Sequence, residues 1–274
     1  MSVYGTRRGR QLAVLAGLLV LLGGSSLRAA AQPVPQTGAR PTIVLVHGAF
    51  ADSSSWNGVV ERLQQQGYTV VAANPLRGLT ADSAYIGSVI KQIAGPVLLV
   101  GHSYGGAVIS NAAATVPNVV GLVFVAAFVP DEGERLGEVA AGSRDSVLNT
   151  ALVPLEYPTG QGAETAVEFA VNRTLFQAAF AADLPAQQTA LAAATQRPVA
   201  ALAFTDASGP PAWKTLPSWA VVATEDKAAG TDVVRAMAQR AGADIVEVAG
   251  SHAIMLSQPD AVTNQILKAS RAVS

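Results

Sequence analysis

Ser103 lies at the centre of the pentapeptide Gly-His-Ser-Tyr-Gly at residues 101–105, a spacing of glycines that is typical of a nucleophilic serine. Four apolar residues precede the pentapeptide, and a helical pattern of small residues follows it at 106–114. This order predicts a strand, a sharp turn and a helix, with the serine at the apex. The two glycines let the strand and the helix approach without a Cβ clash, and the first helical amides can then face a developing negative charge.

A serine hydroxyl is a poor nucleophile at neutral pH, so a neighbouring base must take its proton during attack. Imidazole suits this task because its ordinary pKa is about 6.5. The chain has three histidines. His252 follows the last predicted strand on a loop and is the candidate base. His47 adjoins a loop glycine and His102 lies inside the pentapeptide, and both are interpreted as structural residues.

A carboxylate on the far ring nitrogen of the base would fix its tautomer and stabilise the imidazolium. Asp226, directly after the penultimate predicted strand, is the preferred acid. Glu225 beside it and Asp131, which follows an earlier strand, are the alternatives. Attack on an ester carbonyl also creates an oxyanion, which needs two donors already in place. The expected donors are the amide of Tyr104 and, from the first loop, the amide of Ala49 in preference to that of Phe50.

The remaining pattern predicts an α/β fold with a doubly wound, mostly parallel sheet, because buried-type strands alternate with helices. The predicted strands are 42–46, 69–73, 97–100, 119–128, 219–224 and 244–248. Residues 41–130 and 212–274 form the predicted core. Between them, residues 131–211 carry Ala-, Gln- and Glu-rich segments with helical spacing, and they are predicted to form an inserted helical lid that walls a substrate pocket.

The first 31 residues are typical of a secretory signal peptide, and 32–40 is a predicted flexible leader. Three arginines precede an apolar run at 12–22, and small residues at 29–31 offer a cleavage site. The apolar run is too short to span a bilayer, which takes about 20 residues. The sequence therefore predicts export to the periplasm or the medium, with no stable membrane span after cleavage; it does not separate the general secretory route from the twin-arginine one.

Charge and composition limit the classes of partner and cofactor that are expected for the protein. Cleavage would remove four arginines and no acid, leaving 14 basic against 19 acidic side chains. No basic stripe with interleaved aromatics is present, so nucleic acid is not an expected partner. The chain has no cysteine, and no metal-binding cluster or dinucleotide fingerprint is visible, so no cofactor is expected. A small-molecule ester is the expected partner, and the oligomeric state is left open.

The His-Gly-Ala loop after the first strand, the Gly-His-Ser-Tyr-Gly-Gly turn, the late aspartate and the final histidine together resemble the α/β-hydrolase superfamily. The loop and the size of the lid are similar to the branch of plant methyl esterases and hydroxynitrile lyases. The resemblance implies that Ser103, Asp226 and His252 form a catalytic triad. It also implies that Ala49 and Tyr104 supply the oxyanion amides.

Two positions depart from the lyases of that branch, which typically carry a threonine after the loop histidine and a lysine after the catalytic histidine. Here these positions are Gly48 and Ala253. Dehalogenases and epoxide hydrolases of the fold resemble the chain less, because they have aspartate where Ser103 lies. The leading hypothesis is therefore a serine esterase acting on a small or medium apolar ester. A C–C bond hydrolase or cofactor-free perhydrolase on the same triad, and a non-catalytic ligand-binding protein, are the alternatives.

Overall fold

A computed structural model of the protein describes residues 38–74 and 76–274. The predicted signal peptide at 1–31 lies outside the described residues, as does most of the predicted leader. The strands are β1 (Thr42–Val46), β2 (Val70–Ala72), β3 (Val97–His102), β4 (Val119–Val125), β5 (Leu152–Pro158), β6 (Thr165–Val171), β7 (Val199–Ala200), β8 (Ser218–Ala223) and β9 (Asp244–Val248).

Eleven α-helices accompany these strands in the described part of the chain. They are α1 (Asn57–Gln65), α2 (Leu79–Lys91), α3 (Tyr104–Ala113), α4 (Leu136–Ala141), α5 (Leu148–Ala151), α6 (Phe176–Phe180), α7 (Ala186–Thr195), α8 (Leu202–Thr205), α9 (Thr231–Arg240), α10 (Ile254–Ser257) and α11 (Pro259–Ala272). Short 3-10 helices lie at Ser53–Trp56 and Ala212–Lys214. No helix among the described residues is both long and apolar enough to cross a membrane.

Six strands form a wholly parallel sheet in the order β2-β1-β3-β4-β8-β9. The central strands β3 and β4 are buried along their whole length. Their nearly continuous apolar sequences follow from this position, because a central parallel strand is covered on both faces. The predicted α/β fold with a doubly wound, mostly parallel sheet is thus confirmed.

Alternate residues of β1 show how the sheet is covered on its two faces. Ile43 and Leu45 belong to one buried cluster, which includes residues of α1 and α11. Val44 and Val46 belong to the other, which includes residues of α2, α3 and α9. Since successive side chains of a strand point to opposite faces, helices pack on both sides of the sheet.

The carboxyl ends of the parallel strands meet at one edge of the sheet, which is where sites collect in open α/β folds. His47 follows β1 and Ser103 follows β3, while Asp226 and His252 follow β8 and β9 within a few residues. The topology therefore brings together four loops that are far apart in the chain.

The segment 131–211 differs from its prediction as an all-helical lid. It contains α4 to α8, but β5, β6 and β7 also form a three-stranded antiparallel sheet. The sequence pattern did not indicate these strands, and the reason is physical. Pro154 and Pro158 argue against a central strand, but β5 is an edge strand, where proline is tolerated. In β6, residues that favour strands lie at alternate positions (Thr165, Val167, Phe169 and Val171), and this spacing is the signal that could have indicated the sheet.

Candidate active site

Ser103 occupies the apex of a tight strand–turn–helix junction. Strand β3 ends at His102, helix α3 begins at Tyr104, and the serine between them has φ 52° and ψ −123°, a conformation that side-chain-bearing residues rarely adopt. Its amide donates to the Val125 carbonyl at 3.2 Å, and its carbonyl accepts from the Phe128 amide at 3.1 Å. These bonds to the neighbouring strand and loop hold the strained turn in place.

Gly105 permits the close approach of this turn to strand β1. A Cβ atom at residue 105 would lie 2.4 Å from the carbonyl oxygen of Val46, where the opposing atom is backbone and cannot move aside cheaply. We expect Gly105→Ala to lower the free energy of unfolding by about 3 kcal/mol, measured by urea denaturation. Gly87→Ala, within α2, is the matched control, since a Cβ there would meet only ordinary contacts, the nearest 3.7 Å away at Val116. If Gly105→Ala were as stable as the control, the turn would not be packed as described.

Asp226 and His252 form a buried pair. The carboxylate Oδ2 of Asp226 lies 2.8 Å from Nδ1 of His252, and each side chain is only 1% exposed. The other carboxylate oxygen accepts from the amides of Ala228 at 2.8 Å and Ala229 at 3.0 Å. Because an ionised carboxylate only accepts hydrogen bonds, the imidazole carries its proton on Nδ1. In this tautomer Nε2 can accept a hydrogen bond.

The other two histidines brace the loops around this pair. His47 is buried, and its ring nitrogens lie 2.9 Å from the Gly48 carbonyl and 3.1 Å from the Asn74 carbonyl. His102 is wholly buried, with Nε2 3.0 Å from the carbonyl oxygen of His252 and the two rings 4.6 Å apart. Burial, together with His252, holds the pKa of His102 well below its usual value. His102 is therefore neutral and donates from Nε2 to the loop that carries His252.

The lid segment also contacts the loop that carries His252. The Ala253 amide donates to the Phe180 carbonyl at 3.1 Å, and the Ser251 hydroxyl donates to the carboxylate of Asp183. The Phe180 ring packs edge-on against the imidazole, with centroids 4.8 Å apart. The residues on both sides of the imidazole are thus attached to α6 and the turn that follows it.

The two alternative acids lie apart from the imidazole. Glu225 is exposed, and among the described residues its side chain makes no hydrogen bond or ion pair with His252. Asp131 pairs with the ammonium of Lys214, and this partner lowers the pKa of the carboxyl. Of the three acids considered from sequence, the structure therefore brings only Asp226 to the histidine.

Three residues that line the cavity around Ser103 have backbone amides without a protein partner among the described residues. Within the described residues, the amides of Ala49, Phe50 and Tyr104 donate to no other protein group, and all three residues line the same cavity as the serine. A hydrogen bond holds the Tyr104 side chain in position, because its hydroxyl donates to buried Asp82 at 2.7 Å. Asp82 also accepts from the Arg77 amide at 2.8 Å. The free amides can therefore bind an anion, with Tyr104 held rigidly.

Ser103 and His252 open onto one cavity of about 280 Å³. Its walls come mainly from the lid segment and are predominantly apolar: Gly137, Ala140, Leu148, Leu152, Phe169, Phe180, Ala201 and Phe204. Asn149 and Thr205 are the polar side chains that the lid contributes to this wall. Among the described residues, no group of three or more His, Cys, Asp or Glu side chains could hold a metal ion. The cavity thus suits an apolar molecule with one reactive polar group.

Sequence reasoning did not identify three residues that support the site. Asp82 lies in α2, and its burial beneath Tyr104 depends on how that helix packs. Phe180 and Asp183 lie in the lid segment, about 70 positions from the loop they contact. An acid at helical spacing among apolar residues was a usable sequence signal for Asp82, whereas no local pattern indicated the other two.

The comparison with known families identifies the class of protein. The family model described as the alpha/beta hydrolase family matches residues 43–265, so the chain belongs to the α/β-hydrolase family. The superfamily indicated by the sequence motifs is confirmed.

The match to an individual curated relative covers only part of the chain. The chain is 31% identical over 107 residues to a carbendazim hydrolyzing esterase from Nocardioides sp. (strain SG-4G), a match that covers 34% of this chain and 44% of that protein. It thus spans less than half the length of that curated relative.

Two solved structures show the same fold at low identity. Polyneuridine aldehyde esterase has a TM-score of 0.72 at 20% identity, covering 85% of this chain and 100% of that one. An extracellular alpha/beta-hydrolase from a Paenibacillus species has a TM-score of 0.66 at 20% identity, covering 84% and 99%.

Proposed function

We propose that the protein is a serine esterase that cleaves small or medium apolar carboxylic esters through an acyl-enzyme. The observation that carries the proposal is the buried Asp226–His252 pair, whose imidazole shares an apolar cavity with the strained Ser103. Three partner-free amides at the same cavity support an oxyanion site.

In the first half-reaction, Ser103 Oγ attacks the ester carbonyl while Nε2 of His252 accepts its proton. Asp226 stabilises the imidazolium through the 2.8 Å contact at Nδ1. The amides of Tyr104 and Ala49 bind the oxyanion of the tetrahedral intermediate. Collapse of the intermediate breaks the carbon–oxygen bond, and the imidazolium returns its proton to the departing alcohol.

In the second half-reaction, water replaces the serine as nucleophile. Nε2 of His252 accepts a proton from the water as its oxygen bonds to the acyl carbon. The second intermediate then releases the carboxylic acid, and the proton returns to Ser103 Oγ. The atoms balance with water as the only co-reactant, so the described groups suffice without a cofactor.

The surroundings of the serine favour hydrolysis over cyanohydrin cleavage. A Cβ at Gly48 would lie 2.7 Å from Ser103 Cβ and 2.8 Å from His102 Nδ1, so a threonine has no room there. Ala253, where the lyases carry lysine, is 1% exposed and offers no charge to a leaving cyanide. We also propose that residues 1–31 act as a signal peptide, which directs export of the mature protein.

An ester panel on the mature protein tests this function. We expect p-nitrophenyl acetate and butyrate to be hydrolysed with unchanged rates after treatment with a chelator. A ligand-binding protein would instead bind esters without releasing p-nitrophenol. Turnover of 1,3-diketones or peracid formation, with esters untouched, would favour the C–C hydrolase or the perhydrolase. Any of these three results would overturn the esterase proposal.

A further inference from the structure

A second cavity lies next to the catalytic one. Its volume is about 540 Å³, and it is formed by the loop after β1, by α6 and α7 of the lid segment, and by α10. We call this cavity the outer groove. Its apolar lining consists of Phe50, Ala51, Phe176, Phe180, Ala181, Leu184, Leu191, Ala192, Ala253, Met255 and Leu256.

Phe50 and Phe180 line both cavities. Their rings pack edge to face with centroids 6.3 Å apart. Phe50 directly follows the oxyanion residue Ala49 and has φ 61°, which is strained for a residue with a side chain. Phe180 in turn packs on the imidazole of His252. The pair therefore separates the reacting groups from the outer groove, and each ring adjoins a part of the reaction site.

The outer groove leaves apolar side chains exposed to water. Leu191 on α7 is 65% exposed and Leu256 on α10 is 36% exposed. Both side chains line the outer groove, so its apolar lining continues to the protein surface. Polar side chains are also present in its lining, including Asp52 and Gln188. The groove therefore has the character of an amphipathic channel for an apolar chain.

The catalytic cavity is at the small end of the range for ligand sites. Ligand sites commonly measure about 300–1,000 Å³, and the catalytic cavity of about 280 Å³ falls just below this range. Three other cavities share none of its lining residues. The outer groove, in contrast, shares the Phe50–Phe180 pair with it.

We propose that the outer groove is a second substrate subsite, which binds the distal part of a linear alkyl chain on one side of the ester. In this proposal the packed rings of Phe50 and Phe180 turn apart to admit the chain, while the ester group stays at Ser103. This inference rests on the proposed esterase function. It extends the substrate class from short esters to esters whose chain is longer than the catalytic cavity.

Chain-length series measured on two tryptophan variants test the subsite. Ala192 lines the outer groove, whereas Ala194 on the same helix is exposed and lines a different cavity. Ala192→Trp fills the groove and Ala194→Trp is its matched control. The substrates are p-nitrophenyl esters with acyl chains of two to twelve carbons, and alkyl acetates with alcohol chains of the same lengths.

For the unmodified protein, kcat/KM should rise with chain length in one of the two series, since each buried methylene strengthens binding roughly fourfold. In Ala192→Trp, kcat/KM for the long-chain esters should be at least about tenfold lower, mainly because KM is higher. The kcat/KM for the two-carbon ester should stay unchanged. Ala194→Trp should retain the gain. If Ala192→Trp does not fold, Leu191→Glu replaces it, with Leu155→Glu at an exposed leucine of β5 as control.

Two failures are distinguishable. Turnover of short esters with no chain-length gain, or a gain that the groove variants retain, overturns the subsite and leaves the esterase function standing. Absence of turnover for every ester overturns both.

Discussion

Ser103→Ala is expected to reduce kcat for p-nitrophenyl acetate by about 10⁴-fold or more, because alanine has no atom that can form the acyl bond. The change removes one small polar atom from a residue that is 6% exposed, and the backbone bonds of the turn remain. We therefore expect the circular dichroism spectrum and the midpoint of urea unfolding to stay close to those of the unmodified protein.

Ser88→Ala provides the matched control for this experiment. Ser88 is an exposed residue of α2, and its hydroxyl donates only to the Tyr85 carbonyl within the same helix. This variant should retain full activity. If Ser103→Ala retained most of the activity, this result would contradict the covalent mechanism.

Asp226→Asn should have the second large effect, a loss of about 10⁴-fold in kcat at neutral pH. The amides of Ala228 and Ala229 both donate to Oδ1, so an asparagine would keep its carbonyl oxygen at that position. Its NH₂ group would then point at Nδ1 of His252 and force the ring proton onto Nε2. The imidazole could no longer accept the proton of Ser103.

The neighbouring acid distinguishes this effect from a general loss of charge. Glu225→Gln removes a carboxylate from the adjacent, exposed position and should change kcat by less than about twofold. Steady-state kinetics of both variants, between pH 6 and pH 9, provide the measurement. A mild effect of Asp226→Asn together with a severe effect of Glu225→Gln would reassign the acid.

The central part of the fold could be predicted from sequence because its signals are local. The apolar runs at 42–46 and 97–100 indicate strands buried on both faces, and β1 and β3 contain them. The glycines beside Ser103 predict a turn with a close backbone approach, and the contact of Gly105 with β1 has this geometry. Chain order and strand ends then placed Asp226 and His252 at the same edge of the sheet.

The lid segment could not be predicted as well, because its structure depends on distant partners. Strand β5 contains two prolines, and its pairing with β6 decides its conformation. The contact between Asp183 and Ser251 joins residues 68 positions apart. The pairing of Phe50 with Phe180, on which the outer groove depends, likewise has no counterpart in any local pattern.

Covalent trapping of the nucleophile tests the central claim most directly. The mature protein is inactivated with diethyl p-nitrophenyl phosphate, and its mass and peptide map are compared with those of untreated protein. We predict one diethylphosphoryl group per chain, located on Ser103, with p-nitrophenol released in equal amount and no labelling of Ser103→Ala. Complete inactivation with the phosphoryl group on another residue, or ester turnover that the reagent leaves unaffected, would contradict the account.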